Sequence, residues 1–264
     1  MPEGNEIHRF ARRHAAAFAG KRVRVDSPNG GFPDAEILHG RILRSVEAVG
    51  KHLGYVFGRD LILHIHLGMY GDFWEGTMPL PPEKGALRLR IYTKTDWIEL
   101  RGGMDTTIYS AEKWQALLAR LGPDPLREGS DPRSAFDLIE KRSTPLGLLL
   151  MDQSVIAGIG NIFRAELLYR ARISPFRPGR ETSAGSLRSI WKDAQTLMRA
   201  AMEDRRIVTT KAKDRLHKRG PVLDEEVHYV YRRHGKPCYV CGATIERKAM
   251  GGRTVYWCPV CQKD

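Results

Sequence analysis

The hydrophobic rhythm of the chain changes twice. Ile7, Phe10, Ala11, His14 and Phe18 recur at helical spacing over residues 4–19 and Gly20 ends the run, which predicts one amphipathic helix at the start. From Lys21 to Gly102 the period falls to two. Arg22-Val23-Arg24-Val25, Leu61-Ile62-Leu63-His64-Ile65-His66 and Leu87-Arg88-Leu89-Arg90-Ile91-Tyr92 are separated by turn residues such as Pro28-Asn29-Gly30 and Gly58-Arg59-Asp60. This half therefore reads as a β-sandwich or barrel.

Leu121-Gly122-Pro123-Asp124-Pro125 cannot continue a helix and marks a domain junction. Beyond it the pattern is helical. One helix is predicted to start at Asp131-Pro132, an N-cap followed by a first-turn proline. Others are predicted over Leu146 to Val155, Ile162 to Arg172 and Ser183 to Glu203. Residues 205–220 form a basic, irregular loop carrying Arg205, Arg206, Lys211, Lys213, Arg215, Lys218 and Arg219. No internal repeat or low-complexity tract is visible.

The chain has 264 residues, 42% of them hydrophobic, enough for two modest domains with real cores and a small appendage. Its 43 Lys and Arg against 31 Asp and Glu give a formal charge of +12, which suits a polyanionic partner. The start is polar, and the longest apolar run, Leu146 to Met151, is too short to span a bilayer. The four cysteines all fall in two C-x2-C pairs, Cys238/Cys241 and Cys258/Cys261. Such pairing in a reducing, intracellular setting means metal rather than disulfide. Four thiolates close a tetrahedral zinc shell with no open position, so one structural Zn²⁺ is expected. It would contribute about 10 kcal/mol or more to folding the final segment.

Between the cysteine pairs, Gly251-Gly252 precede Arg253 and predict a tight hairpin tip that offers the arginine to phosphate. Gly158-Ile159-Gly160-Asn161 lies between apolar helical stretches, where a helix start could meet phosphate and Asn161 could act as its cap. Removal of Met1 would expose the secondary amine of Pro2, a nucleophile no internal residue can supply, beside the Glu3 carboxylate. Each string alone has an ordinary reading: a solvated turn charge, a helix corner, a helix start. Lys51 alone reads as a surface charge, and His64 and His66 as structural residues on one strand face.

Taken in order, Pro2-Glu3-Gly4, Gly50-Lys51-His52-Leu53, His66-Leu67-Gly68-Met69-Tyr70-Gly71, Leu121-Gly122-Pro123-Asp124-Pro125-Leu126, Asp152-Gln153, Gly158-Ile159-Gly160-Asn161-Ile162, Val230-Tyr231, Gly235-Lys236-Pro237-Cys238, Gly252-Arg253 and Cys258-Pro259-Val260-Cys261-Gln262 resemble the formamidopyrimidine-DNA glycosylase and endonuclease VIII family over essentially the whole chain. The resemblance implies an α+β multidomain fold. Residues 1–122 would form a catalytic N-terminal helix and β-sandwich, 123–234 a helix-two-turn-helix domain, and 235–264 a zinc-finger β-hairpin.

It also implies roles. Pro2 would attack the sugar C1′, Glu3 would act as general acid on the opening ring, and Lys51 would hold phosphate and assist proton transfer in β-elimination. Arg253 would grip phosphates and assist δ-elimination. Met69 with Tyr70 would wedge into the gap left by a flipped base, and Arg120 and Asn161 would contact the DNA backbone. Pro2-Glu3-Gly4 and Asn161-Ile162-Phe163-Arg164-Ala165-Glu166 resemble the endonuclease VIII branch, which acts on oxidised pyrimidines. The purine branch's Asp-Pro-Arg-Arg-Phe loop is replaced by Gly103-Met104-Asp105-Thr106-Thr107.

The expected protein is a base-excision-repair enzyme, monomeric and cytoplasmic at the nucleoid. Its partner would be double-stranded DNA bearing damaged bases or abasic sites, with no membrane involved. The alternatives are a non-catalytic damaged-DNA-binding zinc-finger protein and an RNA-associated zinc-ribbon protein, neither of which needs the Pro2, Glu3 and Lys51 set.

Overall fold

The computed structural model describes residues 2–263. The chain divides into two compact units, the first ending at Arg120 and the second beginning at Leu121.

The first unit opens with helix α1 (Gly4–Phe18), whose Ile7, Phe10, Ala11 and Phe18 face inward. Then follow β1 (Arg24–Asp26), the single turn α2 (Ala35–Leu38), β2 (Ser45–Val49), β3 (His52–Gly58), β4 (Leu61–His66), β5 (Asp72–Thr77), β6 (Leu87–Tyr92), β7 (Asp96–Arg101), β8 (Asp105–Tyr109) and α3 (Ala111–Leu118). The strands make two antiparallel four-stranded sheets, ordered β1-β6-β7-β5 and β2-β3-β4-β8. Leu53, Tyr55, Leu63 and Ile65 from one sheet and Val25, Ile91, Ile98 and Leu100 from the other share a core with α1. Each such side chain fully buried contributes roughly 1.5–3 kcal/mol. The alternating pattern thus yields the sandwich. One cross-strand polar pair interrupts it: Arg90 lies opposite Glu99 and donates to its Oε1 at 2.7 and 3.1 Å, with Glu99 fully buried. Arg101 takes the other Glu99 oxygen, so the buried charge is compensated on both sides.

The second sheet is covered on both faces. Opposite the core, Ile62 packs with Trp114 and Leu117 of α3, and Ser110 caps that helix by accepting from Lys113 N at 3.2 Å.

The second unit contains α4 (Arg133–Glu140), α5 (Leu146–Leu149), α6 (Asn161–Arg170), α7 (Ala184–Asp204) and the hairpin β9 (Glu246–Met250) and β10 (Arg253–Trp257). Three predicted boundaries are corrected. Pro132 itself occupies the cap position of α4, and Asp131 reaches past it to accept from Arg133 N at 3.0 Å. The helix expected over 146–155 is one turn long. Residues 151–160 instead form turns knitted by Gln153, which donates to Met151 O and Ile159 O and accepts from Gly158 N, each at 3.0 Å. Helix α6 ends before Arg172, which takes a left-handed φ of 60°. This α5–turns–α6 arrangement is the helix-two-turn-helix, and Ile156, Ile159, Phe163 and Leu167 join its core.

Buried polar groups on α6 bind the remainder of the unit. The Glu166 carboxylate accepts from the backbone N–H of Tyr229, Val230 and Tyr231 at 2.7, 2.9 and 2.8 Å, and from the Thr209 hydroxyl. Arg164, also fully buried, donates to Gly147 O, Met250 O and Thr254 O at 3.4–3.5 Å.

The C-terminal segment is the zinc hairpin. The four Sγ atoms lie within 4.8 Å of one another, with Cys238–Cys261 at 3.9 Å and Cys241–Cys258 at 3.4 Å. Tetrahedral Zn–S bonds of about 2.3 Å require sulfurs roughly 3.8 Å apart, so the set fits one structural zinc. Burial opposes the Cys238 thiolate. The Tyr169 hydroxyl at 3.1 Å and the amides of Val240 and Cys241 outweigh it, bringing the thiol down to about 7. At the tip, Met250 pairs with Arg253 across Gly251 and Gly252. Both glycines have positive φ, 59° and 70°, as a two-residue hairpin turn demands. Gln262 ties the ribbon back by donating to Ile173 O at 2.9 Å.

Glu166→Gln would set an amide donor against at least one of the buried N–H groups, costing about 2–3 kcal/mol. Chemical denaturation of the second unit should show that loss, and one below about 0.5 kcal/mol would remove Glu166 as its tie.

In the first unit, burial pushes His14 down to about 3, His52 to about 3 and His64 to about 4. The unfolded chain protonates these imidazoles near pH 6.5. Their contribution is therefore complete above that value and is lost as pH falls toward 4. The unit's thermal midpoint should drop between pH 7 and pH 5, by roughly 4 °C per kcal/mol lost; a flat profile would contradict neutral burial.

Candidate active site and nucleic-acid interface

In the first unit, Pro2 is half-buried and Glu3 only 1% exposed at the head of α1. The Glu3 carbonyl accepts from Glu6 N at 3.0 Å and Ile7 N at 3.3 Å, so Glu3 is tied into the helix's first turn, and the next residues, Gly4 and Asn5, are buried. Along its length α1 packs on β2 and β3. Those two strands form a hairpin in register Val49↔His52, leaving Gly50 and Lys51 as its two-residue turn. Gly50 takes φ of 57°, the conformation such a turn requires at its first position. Lys51 therefore sits at the tip of the hairpin whose strands carry α1.

The turn after β4 carries Met69 and Tyr70, 43% and 87% exposed. It is closed by Gly71 N donating to Leu67 O at 2.9 Å, and Met104 N bonds back to His66 O at 2.9 Å. Two apolar side chains are thus held out in solvent on a tight, bonded support. Arg120 follows α3 and is exposed.

Behind Lys51 lies a cluster the sequence reading passed over. His52 pairs across the strands with His66, and His64 follows on the same face of β4. His52 Nδ1 is 2.9 Å from His64 Nε2, and His64 Nδ1 is 3.2 Å from Asp105 Oδ2. The latter approach is bent, so the carboxylate's charge more than a straight hydrogen bond holds that nitrogen. Burial lowers His66, and the charge of Lys51 lowers it further. Reading His64 and His66 as structural strand residues described the phase of β4. What it lacked was the hairpin register that sets His52 opposite His66.

In the second unit, Asn161 and Arg253 come together. Asn161 is the first residue of α6 and not its cap. Gly160 stands at the cap position without a side-chain bond, and the buried Asn161 amide donates to Thr254 O at 3.0 Å while accepting from Arg164. The start of α6 and the start of β10 are thereby stapled, with Arg253 half-buried next to the staple. Arg164 and Glu166 are the further residues that hold this corner. Their sequence signal was two charges inside an otherwise apolar helical stretch.

The chain therefore offers a half-buried proline beside a buried carboxylate, a lysine on a hairpin tip and an exposed apolar pair in one unit. The other offers an arginine stapled to a helix start beside a zinc ribbon. These are parts for amine chemistry and for phosphate binding.

A formamidopyrimidine-DNA glycosylase N-terminal domain model matches residues 1–102, a formamidopyrimidine-DNA glycosylase H2TH domain model residues 121–212, and a model of the zinc finger found in FPG and IleRS residues 235–263. Endonuclease 8 1 of Mycobacterium tuberculosis is 42% identical, over 99% of this chain and 100% of that protein. Formamidopyrimidine-DNA glycosylase of Thermus thermophilus is 32% identical over 100% of this chain and 99% of its own length. The structure of Lactococcus lactis Fpg in complex with DNA containing an abasic site shares the fold, with a TM-score of 0.78 at 21% identity over 99% of this chain and 100% of that one. With relatives of this identity along its whole length and three domain models matching in order, the chain belongs to the formamidopyrimidine-DNA glycosylase and endonuclease VIII family of DNA repair glycosylases.

Proposed function

We propose that the protein is a bifunctional glycosylase and abasic-site lyase that removes oxidised pyrimidines from double-stranded DNA. The observation that carries this reading is that one unit holds Pro2 and the buried Glu3 at the head of α1 and Lys51 at the tip of the β2–β3 hairpin on which that helix packs. A binder needs none of the three.

With Met1 removed, the Pro2 nitrogen attacks C1′ as the bond to the damaged base breaks, and the departing base takes the electron pair. An α-amino group titrates near 7.7–8.0, so a neutral fraction is available at neutral pH. Glu3 protonates the ring oxygen as the sugar opens to the Schiff base. In β-elimination the C2′–H bond breaks, its electrons form the C2′–C3′ double bond, and the 3′ phosphate leaves. Lys51 holds that phosphate and assists the proton transfer. Arg253 grips the neighbouring phosphates for δ-elimination of the 5′ side, while Asn161 and Arg120 contact the backbone. Met69 and Tyr70 fill the gap in the stack, and flipping costs a few kcal/mol, less at a damaged pair. Zinc holds the ribbon and takes no part in the chemistry.

Preference for pyrimidines is supported by the region 102–104. Gly103-Met104-Asp105-Thr106-Thr107 stands where the purine branch has an arginine–aromatic loop, and here Gly102 and Gly103, with φ of 64° and 95°, turn the chain directly into β8. The 42% relative, Endonuclease 8 1, also lies nearer than the 32% formamidopyrimidine-DNA glycosylase.

Borohydride trapping of the tag-free protein on duplexes with an abasic site, thymine glycol, dihydrouracil or 8-oxoguanine should give a covalent adduct, strongest with the pyrimidine lesions. A retained N-terminal tag should abolish the adduct and strand nicking while binding persists. Tight binding without any adduct from a verified Pro2 terminus would make it a damage-binding protein.

Arg253→Ala should weaken binding on all sequences and flatten the slope of log K against log salt by about 0.9, the share of one phosphate. An unchanged slope would remove Arg253 from the phosphate contacts.

A further inference from the structure

We infer that His66, together with His52, His64 and Asp105, forms an imidazole cluster that positions Lys51 for strand cleavage. The inference rests on the lyase reading above and adds residues that touch neither sugar nor base.

Three observations carry it. The first is place. Lys51 occupies the turn immediately before His52, and His52 lies directly opposite His66 with ring centroids 4.9 Å apart. The lysine's charge is felt by His66. The second is the order of ring contacts. The Asp105 carboxylate, 3.2 Å from His64 Nδ1 in a bent approach, draws the proton to that nitrogen by its charge and leaves a lone pair at Nε2. His52 must then donate from Nδ1 across the 2.9 Å separation. His66 Nδ1 accepts from Gly68 N at 3.2 Å, which puts its proton on Nε2. One set of tautomers satisfies these contacts together, so the rings beside the Lys51 turn share one arrangement.

The third is shared anchorage. His66 accepts Gly68 N on its ring and Met104 N on its carbonyl. The support of the Met69–Tyr70 turn and the ring facing the Lys51 hairpin therefore belong to one residue.

These rings are neutral when the reaction runs. His52 and His64 lie far below neutrality, at about 3 and about 4, and His66 is lowered. The charged and titratable groups around them are Lys51 from the β2–β3 turn, Asp105 and Tyr109 from β8, Lys113 from α3 and Arg120 behind it. A protonated imidazole would add a cation beside Lys51 and push the ammonium away from the phosphate it must hold. Among the described residues, the His/Cys/Asp/Glu group compact enough for an ion is the four cysteines.

The test separates the amine step from elimination on a preformed abasic-site duplex under single-turnover conditions. His66→Phe removes the acceptor for Gly68 N, and His66→Asn keeps one. The Phe variant should cleave about tenfold or more slowly while its borohydride-trapped adduct accumulates, and the Asn variant should recover most of the rate. A wild-type protein that forms no adduct removes the lyase reading and the positioning role with it. Normal wild-type trapping and cleavage beside an equally fast Phe variant overturns the positioning role alone. So does a folded Phe variant in which trapping and cleavage fall together. Imidazole nitrogen NMR of the wild type, which needs no variant to fold, should show three neutral rings at pH 7 with protons on His52 Nδ1, His64 Nδ1 and His66 Nε2. A member of the trio titrating near 6.5 would overturn the cluster.

Discussion

The second unit depends on how one helix satisfies its own buried charges. Helix α6 places a carboxylate, Glu166, and a guanidinium, Arg164, where neither reaches water. An unpaired charge there would cost several kcal/mol. Glu166 escapes that cost by gathering three consecutive amides of residues 229–231, and Arg164 by donating to carbonyls at Gly147, Met250 and Thr254. The segment leading into the zinc ribbon and both strands of its hairpin are therefore fastened to the same ten-residue helix. Asn161 adds a third fastening at the helix start. Zinc gives the ribbon its internal order, and α6 decides where the ribbon stands.

That division of labour also holds the backbone on both sides of Arg253. A tight glycine turn sets its place on β10, and the carbonyl of the next residue, Thr254, receives both Asn161 and Arg164. Side chains that hold phosphate lose less entropy on binding when their backbone is already held.

The first unit solves a related problem differently. The proposed nucleophile, Pro2, lies near a chain end, ordinarily the least ordered part of a protein. Here the terminus leads straight into a helix whose apolar stripe lies in the sandwich core, so burial of Ile7, Phe10 and Phe18 acts on Pro2 at a distance of a few residues. The hairpin tip with Lys51 is stiffened by its register and glycine turn, and the face behind it is filled by imidazoles instead of hydrocarbon. Trp114 of α3 reaches from Ile62 to the edge of this cluster, its ring centroid 6.0 Å from that of His64.

Much of this was readable from local pattern. Helical spacing over 4–19 and alternation from Lys21 onward determine α1 and the strands, because each buries one side. The two C-x2-C pairs determine the zinc shell, since thiolate chemistry leaves few other uses for that spacing. Gly251-Gly252 determines the hairpin tip, as two left-handed positions in a row ask for glycine. What pattern could not decide was long-range pairing. The stretch 146–155 looked helical, yet Gln153 binds three backbone groups of its own turn and stops the helix. Asn161 looked like a cap until a carbonyl from β10, 93 residues away, claimed its amide. His52 and His66 became neighbours only through the register of β3 on β4, and Glu166 found its amides 63 to 65 residues downstream. Side-chain periodicity carries the sign of burial along one element. Which buried polar group meets which partner depends on how the elements are laid against one another, and that is decided only when the chain is folded.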